Sequence, residues 1–122
     1  MALRNTFNRA TKATISTNSA SPTTIYTVGS NETTLLTGCL IANKGNNPAL
    51  VSVVIDTDIT NNDDAYLCYN LQVPANGAVE LSLGKVCVKH DGSGGDVIKA
   101  FTDALSDVDI ILSLLENVNQ NT

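Results

Sequence analysis

Residues 65–73 read Ala65-Tyr-Leu-Cys-Tyr-Asn-Leu-Gln-Val73, followed by Pro74-Ala-Asn-Gly77 and Ala78-Val-Glu-Leu-Ser-Leu83. The first stretch alternates. Ala65, Leu67, Tyr69, Leu71 and Val73 point one way, and Tyr66, Cys68, Asn70 and Gln72 point the other, which is the period of a half-buried strand. Asn76-Gly77 tolerates positive φ, so 74–77 reads as a turn. Val79, Leu81 and Leu83 then face away from Glu80 and Ser82. The whole segment predicts a β-hairpin.

Similar strand-and-turn units extend to both sides. Thr24–Val28 precedes the turn Gly29-Ser-Asn-Glu32. Thr34–Asn43 carries Leu35-Leu-Thr-Gly-Cys-Leu-Ile-Ala42 and closes at Lys44-Gly-Asn-Asn-Pro48. Leu50–Thr57 reads as a well-buried strand through Val51, Val53, Val54 and Ile55. Val86–Lys89 is short and runs into Asp91-Gly-Ser-Gly-Gly95; Val97–Phe101 and Val108–Leu115 complete the set. Residues 96–116 offer a helical alternative, because Val97, Phe101, Ala104, Leu105 and Val108 fall at helical spacing. Ser106-Asp107 interrupts that pattern, and Ile110, Leu112 and Leu114 restore alternation against Asp109 and Ser113, so two strands are preferred. About eight short strands with turn chemistry between them predict an all-β fold, a single antiparallel β-sandwich of jelly-roll or Ig-like type. The expected organisation is an exposed N-terminal arm and lead-in over 1–22, the sandwich over 23–116 and a frayed tail over 117–122.

Composition narrows the function. The 122 residues carry a net charge of −5, and charged residues make up only 16%. The first twelve hold Arg4, Arg9 and Lys12 with no acid, a local +3. The rest holds four bases against twelve acids, −8. Such a balance argues against nucleic acid as a partner, which needs clustered Lys and Arg. No apolar run approaches the ~20 residues of a membrane-spanning helix. The basic opening lacks the apolar segment of a secretory signal. It is also Ser/Thr-rich and acid-poor like an organellar transit peptide, but a short exposed arm with a helical turn around Leu3 and Phe7 is the preferred reading.

No motif names a reaction. Cys39, Cys68 and Cys87 form no CxxC pair, and His90 has no ligand partner nearby, so neither zinc nor a disulfide is called for. Reduced, half-buried thiols in a cytoplasmic setting are expected. Asp56-Thr-Asp-Ile-Thr-Asn-Asn-Asp-Asp64 is rich in oxygen donors suited to Ca²⁺. It departs from the EF-hand loop at Asn61, where Gly belongs, and at Leu67, where the bidentate Glu belongs. A polar loop of turn formers is preferred there. His90 beside Asp91 lacks an activated nucleophile, and Gly92, Gly94 and Gly95 lack the spacing and the Lys of a phosphate loop. Asn31-Glu-Thr33 matches a glycosylation sequon without a secretory route. Tyr26, Tyr66, Tyr69, Phe7 and Phe101 read as too scattered for a stacking platform. No cofactor, metal or catalytic residue is expected.

The order of elements resembles a family. Met-Ala-Leu-Arg-Asn-Thr-Phe-Asn-Arg-Ala10 leads into Thr24-Ile-Tyr-Thr-Val28 and Thr34-Leu-Leu-Thr-Gly38; Leu71-Gln-Val-Pro-Ala-Asn-Gly-Ala-Val-Glu-Leu81, Gly95-Asp-Val-Ile-Lys-Ala100 and Val108-Asp-Ile-Ile-Leu-Ser-Leu-Leu-Glu116 follow. This looks like the small β-sandwich virion proteins of tailed bacteriophages, of the marine and cyanobacterial phage type. Gly29 departs from the Pro usual after Tyr-Thr-Val, and Asp91–Gly95 is longer than the usual turn before Gly-Asp.

The resemblance implies a non-enzymatic structural role on the virion, assembled in the host cytoplasm. A capsid decoration or cement subunit comes first, and a neck or tail-surface protein, such as a ring or fibre-attachment subunit, is the alternative. Its expected partners are other virion proteins, the major capsid or neck and tail proteins, and further copies of itself. Arg4, Phe7, Arg9 and Lys12 are the candidate assembly contacts, because a +3 arm suits docking on an acidic neighbour. A carbohydrate- or host-surface-binding module is a third reading, weakened by the few aromatic residues.

Overall fold

Apolar doublets mark two long strands. Leu35-Leu36 and Leu40-Ile41 lie on β3 (Thr33–Asn43), and Ile110-Ile111 and Leu114-Leu115 lie on β9 (Val108–Glu116). These strands pair antiparallel, with Leu36 opposite Leu114, Cys39 opposite Leu112 and Ile41 opposite Ile110. All six of those side chains are buried. The computed structural model describes residues 6–57, 64–81, 85–90, 94–103 and 107–116. The remaining elements are β1 (Thr6–Lys12), β2 (Thr23–Thr27), β4 (Ala49–Asp56), β5 (Ala65–Val73), β6 (Ala78–Leu81), β7 (Val86–Lys89) and β8 (Val97–Thr102). No helix occurs among the described residues, so the strand reading of 97–116 holds over its helical rival.

The strands form two antiparallel sheets. Sheet A runs β1-β9-β3-β6, with β7 beside β6 on the same edge of β3; sheet B runs β2-β8-β4-β5. Taken as one interrupted strand, β6 and β7 leave two sheets of four. An Ig-like sandwich would group its first, second, fourth and fifth strands in one sheet. Here the chain instead passes back and forth between sheets and pairs its first strand with its last, which is the jelly-roll winding. The core between the sheets is aliphatic: Ile25, Val51, Val53, Ile55 and Ile98 from sheet B meet Leu36, Ile41, Ile110, Leu112 and Leu114 from sheet A. β-Branched residues suit such pleated, buried surfaces.

Three sequence expectations change. First, residues 6–12 are an edge strand rather than a free arm with a helical turn. They pair with β9 in unbroken register from Thr6 opposite Glu116 to Lys12 opposite Ile110. This covers the far edge of β9, whose apolar run would otherwise present unpaired amides. The lead-in is also anchored, since Ile15 is buried and its amide donates to the Val108 carbonyl at 2.9 Å. The sandwich therefore includes residues 6–12 and, among the described residues, has nine strands. Residues 117–122, read as a frayed tail, lie outside the described residues.

Second, the turn 74–77 forms but does not close a hairpin. The Gly77 amide donates to the Pro74 carbonyl at 3.1 Å and Asn76 sits at φ 55°, yet β5 pairs with β4 and β6 pairs with β3. Pro74 has no amide to donate to a hairpin ladder. The turn docks instead on the β3–β4 connection, through Asn43 N to Gly77 O at 2.8 Å and Asn76 N to Gly45 O at 3.1 Å. Asn43 itself is buried. Its side-chain amide donates to Asn47 O and Val73 O, and its Oδ1 accepts from Gly45 N.

Third, the alternation of 65–73 is broken by two irregularities in the β4–β5 ladder. Val51 faces Leu71, but Val53 faces Cys68 and Val54 faces Tyr66. Asn70 takes φ 52°, and its amide donates to Ser52 Oγ at 2.9 Å. Each bulge inserts a residue and reverses the side-chain parity beyond it. Cys68 therefore packs against the core while Tyr69 turns outward.

Candidate functional site

The outer face of sheet A carries an apolar row that runs across β1, β9, β3 and β7. Phe7 on β1 lies opposite Leu115 on β9, Leu115 opposite Leu35 on β3, and Leu35 opposite Cys87 on β7. A shorter second row sets Ile111 opposite Leu40. Phe7 is 82% exposed and Leu40 38%. Water wets this much aromatic and aliphatic surface only at a cost of roughly 25 cal/mol per Å² relative to burial.

The candidate contacts fall unevenly around these rows. Phe7, Arg9 and Thr11 alternate onto the outer face, with Arg9 opposite Ser113. Lys12, opposite Ile110, ends the strand and helps line a depression of ≈ 180 Å³ with Thr11, Ala13, Asp109 and Ile111. Arg4 lies outside the described residues. The outer edge of β1, unpaired among the described residues, thus belongs to a strand with two cations and one large aromatic ring. Flanking charges of this kind guard a strand edge against indiscriminate pairing.

Opposite lies a second unusual surface, the outer face of sheet B. With parity reversed by the bulges, Tyr66 and Tyr69 come together edge-to-face, ring centroids 5.0 Å apart, and are 49% and 65% exposed. Tyr69, Phe101 and Leu50 line a cavity of ≈ 250 Å³, whose polar lining includes Thr17, Ser19, Asn70 and Asp103. Three of the five aromatic residues of the chain thus share one face. The sequence reading of scattered aromatics is corrected here.

A polar clamp ties the two sheets together. Tyr26 on β2 donates from Oη to Glu116 Oε2 at 2.6 Å and lies 3.1 Å from Thr34 Oγ1; Asn8 on β1 donates to Glu116 Oε1 at 3.1 Å. Burial first, and the Glu116 carboxylate second, push the Tyr26 hydroxyl up to about 12. At the other end of the sandwich, Lys44 reaches Asp109 at 3.0 Å and Asp107 at 3.3 Å. The hydrogen bond that its ammonium donates to Asp109 leads in holding Lys44 above the ordinary lysine range. These groups tie strands and connections of the fold to one another and need no ligand to explain them.

The residues weighed for chemistry find structural settings. The His90 amide donates to Glu32 O at 3.0 Å, and His90 bridges Gly95, where an added Cβ would sit 2.5 Å from the imidazole; Asp91 lies outside the described residues. Asp56 pairs with Lys99 at 2.9 Å, and residues 58–63 of the acidic stretch lie outside the described residues. All three cysteines are free thiols, with Cys39 buried, Cys68 half-buried and Cys87 exposed. Burial, and then the proximity of Cys68, push the Cys39 thiol up to about 12. Among the described residues no three His, Cys, Asp or Glu side chains gather to hold a metal ion.

The apolar rows escaped the sequence reading, although a signal existed. In an alternating strand a doublet such as Leu35-Leu36 or Leu114-Leu115 puts one side chain on each face, so four doublets on neighbouring strands imply an apolar outer face. Comparison with protein-family models, curated proteins and solved structures found no match.

Proposed function

We propose that this protein is a non-enzymatic virion structural protein of a tailed bacteriophage, a capsid decoration or cement subunit. It binds the particle surface and neighbouring subunits through the outer face of sheet A and the free edge of β1. The observation that carries this reading is the apolar row Phe7–Leu115–Leu35–Cys87, which ends at β1, a strand whose outer edge pairs with no other strand among the described residues. A contiguous exposed apolar patch on a small domain marks an interaction surface more often than a solubility accident.

The charge layout says what sort of neighbour fits. Two β1 edges paired about a two-fold axis at Arg9 would set two guanidinium groups face to face, which disfavours that symmetric pair. An acidic, apolar surface suits Phe7, Arg9 and Lys12 better, and the −8 body of another copy or an acidic capsid protein supplies one. Jelly rolls serve in viral capsids and in lectins. That is an analogy of fold and lends weight without naming a role. The motif order described above supplies the link to phage particles. A neck or tail-surface location would use the same face.

Imaging of purified particles tests the reading. The expected result is multiple copies on the particle with the outer face of sheet A covered by a neighbour. Particles lacking the chain, or carrying it with Phe7 and Leu40 facing solvent, would contradict it.

A further inference from the structure

We propose that the outer face of sheet B holds a binding site for a neutral saccharide, centred on Tyr69. This inference is independent of the assembly reading, which uses the opposite sheet. The cavity of ≈ 250 Å³ has two aromatic walls, Tyr69 and Phe101, and an aliphatic one, Leu50. Sugar rings present C–H faces that pack on aromatic rings and hydroxyls that need donors and acceptors around the rim. Thr17, Ser19 and Asp103 supply such groups here.

The polar part is held in place before any ligand arrives. Asp103 Oδ1 accepts from the Leu50 amide at 3.1 Å and from Thr102 Oγ1 at 3.3 Å, while the Asp103 amide donates to Leu50 O at 3.1 Å. The segment bearing Thr17 and Ser19 is pinned by Thr102 N to Ser16 O at 2.9 Å and Ser16 N to Thr23 Oγ1 at 2.8 Å. Within it the Ala20 amide donates to Asn18 Oδ1 at 2.9 Å. Preorganised walls spare a weak ligand the cost of ordering them.

Other ligand classes fit less well. An extended peptide would add to the edge of β5, but the bulges at Leu67 and Tyr69-Asn70 distort that edge against strand addition. A nucleic acid would need free cations, and on this face Lys99 is paired with Asp56. The Asp103 carboxylate in the wall and the net charge of −5 select against anionic sugars. The volume, below the usual 300–1,000 Å³ of drug-sized sites, suits one or two sugar rings.

The test titrates the full chain with cellotetraose, maltotetraose, mannotetraose and chitotetraose, with a tetragalacturonate as the anionic control and an extended Pro-rich peptide as the rival ligand. The protein has three tyrosines and no tryptophan, so tyrosine emission reads the site through Tyr66 and Tyr69, and saturation-transfer NMR reads the sugar. The expected result is binding of at least one neutral probe at millimolar concentration or below. Tyr69→Ala should weaken it about tenfold or more, Asp103→Asn should weaken it measurably, and Phe7→Asp should leave it unchanged. Tyr69→Phe should retain most of the affinity. No neutral probe bound, binding that survives Tyr69→Ala in a folded variant, or binding of the peptide alone would each overturn the proposal.

Discussion

Tyr26 Oη donates a 2.6 Å hydrogen bond to Glu116 Oε2, joining an edge strand of one sheet to the last strand of the other. The two residues are 90 positions apart, and Asn8 donates to the second oxygen of the same carboxylate. Three strands from both layers thus meet on one side chain. Such a clamp fixes how the sheets stack, which aliphatic packing alone leaves looser.

Tyr26→Phe removes the donor while keeping the ring. The expected cost is about 1.5–3 kcal/mol, as for a hydrogen bond to a charged group, measured by urea unfolding at neutral pH. The folded chain holds the Tyr26 proton up to about 12, above the ordinary 10. Between those values the unfolded chain binds fewer protons, so stability present below pH 10 falls as pH rises toward 12. Tyr26→Phe should flatten part of that decline; Cys39, likewise raised to about 12 from 9, accounts for a remaining part.

Thiol labelling should occur in three stages. Cys87 is exposed, Cys68 half-buried and Cys39 buried, and a buried thiol held protonated is a poor nucleophile. With dithionitrobenzoate, one thiol per chain should react promptly, a second slowly, and the third only on unfolding. Prompt reaction of Cys39 in the native protein would show that the β3–β9 interior is open.

The bulges in β5 reverse two side chains, and substitution reads this directly. Cys68→Asp should destabilise by about 2 kcal/mol or more, because it carries a charge toward Val53 and the core. Tyr69→Asp should stay near neutral, within about 0.5 kcal/mol, as at other exposed sites. Simple alternation through residues 65–73 demands the opposite order. Thermal melts of the two variants decide between them.

Deleting residues 1–12 should now be costly. It strips β9 of seven paired positions and bares an apolar strand edge. A lower melting temperature and concentration-dependent aggregation are expected. Unchanged melting of the truncated chain would mean that β1 is a dispensable arm.

Much of the fold was legible because burial and strand period coincide. The bounds of β2, β3, β4, β8 and β9 fall within a residue or so of the apolar patterns, and Val86–Lys89 is β7 as read. β1 escaped because, of the positions that share the side of the core, Asn8, Ala10 and Lys12, only the small Ala10 is apolar and packed against it; the strand is held by ladder hydrogen bonds and by Glu116. The turn at Pro74–Gly77 was visible as a turn, but turn chemistry does not say which sheet receives the next strand. The aromatic face stayed hidden because a bulge leaves the composition unchanged while reversing the faces. Phe7 and Arg9 were named as candidate contacts because they lie in the basic opening; that they share an outer face with Leu115 and Leu35 was not legible, because those residues come from strands far along the chain.

The central claim is that the sheet A face and the β1 edge join this chain to a particle. Its most direct test is the number of copies in purified virions, counted by quantitative mass spectrometry, for the wild-type chain and for Phe7→Asp combined with Arg9→Glu. Both substitutions are at exposed positions, so the melting temperature serves as the control for folding. The account predicts many wild-type copies per particle and a loss of about tenfold or more for the folded double variant. Wild-type chains missing from the particle, or a double variant incorporated at the wild-type level, would contradict it.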